Sequence, residues 1–190
     1  MEEETTILDE WEQVATPPPV EIKQVSIKSS ETALLILDMQ ASTCNQERRP
    51  RCVASVPRVQ RFLERARQKG MTVIYSLTRK GTPSDILPEL TPKEGDPIVR
   101  SSVDKFFETA LEKILKDKGI ESVILAGTSA EGAVLHTATA AAMRGYQVVV
   151  PVDGISAGNP FAELYTVWHL VNAPGSRNQA TLTRFDMIKV

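Results

Sequence analysis

Between residues 33 and 183, short apolar runs alternate with stretches whose apolar residues recur at helical spacing, and this alternation limits the possible folds more than any other feature of the chain. The run Ala33–Leu37 has the character of a strand buried on both faces, and Met71–Ser76, Ser122–Ala126 and Tyr146–Val152 also read as strands. Val59, Phe62, Leu63 and Ala66 fall at i, i+3, i+4 and i+7 ahead of Gly70, predicting a helix from about residue 56 to 69. Phe107, Ala110, Leu111 and Ile114 repeat the spacing ahead of Gly119, predicting a helix over about 103–118. A helix of small residues is expected over about 130–144, another over about 161–172, and a short last strand over 180–183. Strand and helix in alternation imply a three-layer α/β/α domain around a doubly wound, mostly parallel sheet. Right-handed crossovers would set its ligand crevice at the carboxyl ends of the strands, the side on which Asp38, Thr128 and Asp153 fall.

A chain of 190 residues, 42% of them hydrophobic, can bury one core without disulfides or metal. Residues 1–29 are expected to form an N-terminal arm with a weak edge strand over Val20–Ile27, and residues 30–190 the domain. The arm is acidic, then carries Thr16-Pro17-Pro18-Pro19, and either packs on a neighbour or moves freely. Residues 77–97, rich in Pro and Gly, read as a long loop of the kind that covers a site. A net charge of −2 argues against a nucleic-acid partner, since phosphate contacts need clustered Lys and Arg. The start Met1-Glu2-Glu3-Glu4 lacks the features of a signal peptide and no run is long enough for a membrane span, so a cytoplasmic protein without membrane association is expected. In that compartment Cys44 and Cys52 read as two free thiols, with a disulfide the less favoured alternative.

Three segments carry the candidate chemistry: Ile36-Leu37-Asp38-Met39-Gln40, the stretch Val99–Leu111, and Ala126–Val134 with Thr137, Ala138, Gly145 and Tyr146 behind it. With Val152–Ser156 they resemble, in order and spacing, the isochorismatase-like hydrolases, a family that includes nicotinamidases, N-carbamoylsarcosine amidase and isochorismatases. The resemblance spans about residues 30–160. For the amidases it implies an aspartate that takes a thiol proton, a lysine that favours the thiolate, and a cysteine that attacks an amide carbonyl. Residue by residue the aspartate is Asp38, whereas the lysine position holds Arg100 and the cysteine position holds Ala133. The resemblance also implies a cis peptide between Thr128 and Ser129, a segment that equally fits a helix capping box closed by Glu131. Gln40, Thr128, Ser129 and Ala130 are the expected substrate-binding residues.

Without a thiol, hydrolysis through a thioester is closed. Isochorismatases proper also lack the cysteine, and there the aspartate is read as an acid that protonates a vinyl ether. An arginine touching Asp38 would hold its pKa down and disfavour that route, whereas an Arg100 turned toward a ligand carboxylate would leave it open. The chain is therefore expected to hydrolyse a small anionic substrate through Asp38 or to have little activity; the alternative is a non-catalytic binding or assembly protein. An engineered Cys-to-Ala replacement at position 133 is disfavoured because Arg100 departs from the amidase pattern as well.

Asp38 also fits a structural carboxylate at a strand end, and Arg100 a surface residue. Arg48, Arg49 and Arg51 form either a solvated loop or an anion-attracting flap over the crevice. His136 and His169 show no metal-ligand spacing, so no metal or cofactor is expected. Ser102 and Ser129 lack an evident activating histidine. Phe161, Tyr165, Trp168 and Leu170 read as a core or subunit-interface face, and a homo-oligomer is expected.

Overall fold

The computed structural model describes residues 5–190; the acidic start Met1–Glu4 lies outside them. Strand β1 (Val25–Ser26) stands apart from the main sheet, pairing in parallel with β9 (Ile188–Lys189). The main sheet contains β2 (Thr32–Leu37), β3 (Thr72–Leu77), β4 (Ile98–Arg100), β5 (Ser122–Thr128), β6 (Gln147–Pro151), β7 (Ile155–Ser156) and β8 (Ala180–Thr183). Its order is β4-β3-β2-β5-β6-β8, with β7 extending beside the end of β5, and every pairing is parallel. The chain builds outward from β2 through β3 to β4, then crosses back to lay β5 on the other side of β2. That reversal is a topological switch point, which opens a crevice beyond the carboxyl ends of β2 and β5.

The apolar run of β2 feeds two cores. Leu34 and Ile36 pack with Val56, Val59, Phe62 and Leu63 of α1 (Pro50–Gln68) on one face. Ala33, Leu35 and Leu37 pack on the other with residues of α2 (Leu111–Asp117), α3 (Leu135–Met143) and α4 (Pro160–Asn172). A strand covered on both sides has no polar face to alternate, and all six residues of β2 are buried. Gly127 permits β5 to approach β2 this closely: a Cβ on it would lie 2.1 Å from the Leu37 carbonyl oxygen, and its φ of +138° suits glycine alone.

Several expectations need correction. The helix expected over 103–118 is only Leu111–Asp117. Residues 101–110 instead form a compact loop in which the Ser101 hydroxyl donates to the Phe107 carbonyl at 3.0 Å and Glu108 takes a left-handed φ of 55°. The loop turns Lys105 and Phe106 inward and leaves Phe107, the supposed core residue, 54% exposed. Helix α1 begins at Pro50 rather than near residue 56, since Pro at its first turn gives up no intrahelical donor. The helix expected from residue 130 opens with a wide π-type turn, Ala130–Val134, before α3, and no side chain caps it, so the capping box does not form. The weak strand over 20–27 shrinks to β1. The 77–97 loop carries short 3-10 turns at Pro83–Asp85 and Pro88–Leu90.

The cysteines are also not free. Cys44 and Cys52 form a disulfide with Cα atoms 5.3 Å apart, because the loop after Asp38 folds back on the first turn of α1 and brings two buried thiols together.

Candidate active site

Asp38 sits one residue past the end of β2 with φ at 51°, a left-handed conformation that non-glycine residues seldom adopt and that tends to occur at functional sites. Its side chain, on a residue only 5% exposed, has two partners: Oδ1 accepts from the Ser76 hydroxyl at 2.7 Å, and Oδ2 accepts from Lys105 Nζ at 2.8 Å. Lys105 is wholly buried, and its ammonium also donates to the Ser102 carbonyl at 2.5 Å and the Ser101 carbonyl at 3.3 Å. The pair therefore forms a buried ion pair at the switch point, with β2, β3 and the 101–110 loop as its supports. Burial raises the Asp38 pKa above the ordinary carboxylate value, against the opposing pull of Lys105 and the Ser76 hydrogen bond. Burial likewise lowers the Lys105 pKa, with Asp38 opposing.

Arg100, expected beside Asp38, is exposed on edge strand β4 and makes no ion pair with it; the cation there is Lys105, five residues further along. The physical reason is the strand register. Arg100 pairs across β3 with Leu77, the last residue of that strand, and the chain must run on through the loop before a side chain can turn back under Asp38. Of the aspartate, lysine and cysteine that the resemblance implies, the chain thus presents two side chains of the right chemistry. Lys105 also removes the argument that Arg100 supplied against a single replacement at position 133.

Asp38 and Ala133 line one cleft of about 500 Å³, together with Thr43, Thr128, Ser129, Ser101 and Ser102. Four cationic side chains, Arg48, Arg49, Arg79 and Lys80, line it too. The peptide between Thr128 and Ser129 is cis. Ala133 offers only a methyl group where the resemblance would have a thiol. Ser129 and Ser102 share the cleft, but neither hydroxyl has a histidine partner, and the two histidines lie elsewhere.

Two other expected binding residues do not reach the cleft. Gln40 is fully buried, its Oε1 accepting from the Thr78 backbone N–H at 2.7 Å, so it holds the start of the 77–97 loop against β2. Ala130 is buried in the core behind the π-type turn. Asp153 also stands apart, accepting from the Phe185 N–H at 3.1 Å beside a separate cavity lined by Arg58, Arg61 and Arg65. Among the described residues no group of His, Cys, Asp and Glu has the geometry to hold a metal ion.

Comparisons with known proteins agree with this architecture. A secreted isochorismatase effector, Isc1, from Verticillium dahliae is 29% identical over 139 residues, covering 67% of this chain and 73% of that protein. N-carbamoylsarcosine amidase from an Arthrobacter species is 26% identical over 63% of this chain and 56% of its own length. Among solved structures, an isochorismatase-like hydrolase from Alkaliphilus metalliredigens superimposes with a TM-score of 0.74 at 25% identity, over 82% of this chain and 95% of that one. N-carbamoylsarcosine amidase from Thermoplasma acidophilum has the same fold at a TM-score of 0.71 and 24% identity, over 82% of this chain and 97% of its own. The sequence pattern of the Isochorismatase domain matches residues 32–179, from β2 to the residue before β8 and so across the whole switch-point crevice, and the chain belongs to that family.

Proposed function

We propose that this protein hydrolyses a small anionic substrate without a covalent intermediate, using Asp38 as the proton donor. The observation that carries this reading is the buried Asp38–Lys105 contact at 2.8 Å on the wall of a cleft that has a methyl group in place of a thiol. A carboxyl whose pKa burial raises is better suited to acid catalysis than an exposed one, and a lysine, unlike an arginine, can exchange a proton with it. For a vinyl ether, Asp38 would protonate the terminal alkene carbon and water would add to the resulting oxocarbenium ion. The proton released by that water returns to Asp38, and the hemiketal collapses to a ketone and an alcohol. The name of the Verticillium relative points the same way. The cations lining the cleft favour a substrate with negative charge.

One observation favours a second reading, a binding protein without turnover. The Lys105 ammonium is held by backbone carbonyls as well as by Asp38, which stabilises its charged form and with it the Asp38 carboxylate. Turnover of isochorismate and of a panel of primary amides by the wild type and Asp38→Asn separates the two. The hydrolase reading expects isochorismate to be consumed, the amides to be spared, and the rate to fall at least about 100-fold in Asp38→Asn. Turnover indifferent to that substitution, or none with any substrate, rejects it.

A further inference from the structure

We infer that Arg49 binds a carboxylate of the ligand, so that the cleft selects small carboxylates over phosphate esters. The inference deepens the proposal above by naming the substrate class and the residue that recognises it, and it rests on that proposal for turnover but not for binding.

Arg49 is short of hydrogen-bond partners. A guanidinium carries five N–H donors. Among the described residues, the Arg49 side chain makes one hydrogen bond, from Nη1 to the Thr43 carbonyl at 3.1 Å, and its buried Nε has no partner. Among the described residues it joins no ion pair, although its neighbour Arg51 engages Glu163 with two nitrogens, Nε at 2.7 Å from Oε1, and Arg67 engages Asp96 at 2.7 Å. A partly buried cation left this short of partners is costly in the free protein, and a bound anion removes that cost.

Position makes the anion a substrate group. Arg49 lines the same cleft as Asp38 and Ala133, and Thr43 fixes it relative to the acid: the Thr43 carbonyl accepts from Arg49 while the Thr43 hydroxyl donates to the Asp38 carbonyl. The disulfide between Cys44 and Cys52 closes the loop on both sides of Arg49. Burial and the adjacent Arg48 act against the Arg49 charge, and the carboxylates of Glu131 and Asp38 act for it. Those two carboxylates also decide between anions. A carboxylate group, with one charge on two coplanar oxygens, matches the edge of one guanidinium, whereas a phosphate ester group would bring a second negative charge toward Asp38 and Glu131.

Isothermal titration of the wild type, Arg49→Met and Arg49→Lys with benzoate, benzamide and phenyl phosphate tests the inference. Benzoate should bind the wild type more tightly than either other probe, at least about 10-fold more weakly to Arg49→Met, and with intermediate affinity to Arg49→Lys, which keeps the charge but loses the paired donors. Benzamide affinity should not change. Circular dichroism checks that the variants are folded; if Arg49→Met is not, the loss in Arg49→Lys decides. Equal benzoate affinity in the folded variants, tighter binding of phenyl phosphate, or no binding of benzoate to the wild type overturns the inference. Benzoate binding that depends on Arg49 in a protein that turns nothing over would remove the hydrolase proposal and leave this one standing.

Discussion

At the scale of single residues the account rests on two charges buried together. Removing one partner leaves the other unpaired in a buried site, so Asp38→Asn and Lys105→Met should each destabilise the fold by roughly 3 to 5 kcal/mol, whereas the double variant should recover most of that loss. Urea unfolding of the four proteins measures the coupling, and additive losses would mean that the two side chains do not interact. The pH dependence follows from the shifts. Because burial raises the Asp38 pKa, its contribution to stability is complete below the unfolded value of about 3.9 and is lost as pH rises through the folded value. Lys105, with a lowered pKa, contributes stability that is complete above its unfolded value of about 10.4 and is lost as pH falls through the folded one. The ion pair therefore stabilises least across the neutral range between them, and Lys105→Met should move the loss of acid-catalysed activity to higher pH by removing the cation that holds the Asp38 pKa down.

At the scale of elements, the loop between β2 and α1 carries the disulfide and two of the cleft cations. In the chain-entropy view, a crosslink across a sequence separation of 8 is worth about 2.5 kcal/mol, so Cys44→Ser with Cys52→Ser should lower the unfolding free energy by about that amount. Thiol titration should find no free thiol in the unreduced protein and two after denaturation with reductant; two free thiols at the outset would contradict the bridge.

How much of this could be read in the sequence differs from one element to the next. The core strands and the C-terminal ends of α1 and α4 were legible because apolar spacing and stop residues are local signals. Asp38 was legible because a strand end places it directly. Lys105 was not, since its approach to Asp38 depends on how residues 101–110 fold, and Phe107 and Ala110 completed a helical pattern that the loop does not follow. The disulfide was missed because thiol pairing depends on a loop turning back and not on spacing, and the expectation leaned on an assumed reducing compartment. A bridge between Cys44 and Cys52 is what an oxidising compartment favours, not the reducing one assumed.

At the scale of the whole molecule, the switch point joins four separate stretches of chain at one cleft: the end of β2 with the loop after it, the start of the 77–97 loop, the 101–110 loop and the turn after β5. Among the described residues no helix is long and apolar enough to cross a membrane. Among the described residues, α4 presents an exposed aromatic face. Phe161, Tyr165 and Trp168 on α4 are 64%, 40% and 38% exposed, and the Pro17–Pro19 arm lines a groove beside them. Such an aromatic face suits association between copies, and sedimentation velocity should show at least a dimer that Trp168→Glu weakens; a monomer at all working concentrations would contradict this.

In the proposed reaction Asp38 delivers a proton to carbon and no group of the protein is acylated. Isochorismate turnover in D2O, followed by NMR of the products alongside intact protein mass, tests it directly. The account predicts one deuterium in the methyl group of the ketone product, unmodified protein throughout, and a rate at least about 100-fold slower in Asp38→Asn. A covalent adduct on the wild-type chain, or deuterium incorporated equally fast in the variant, would contradict it.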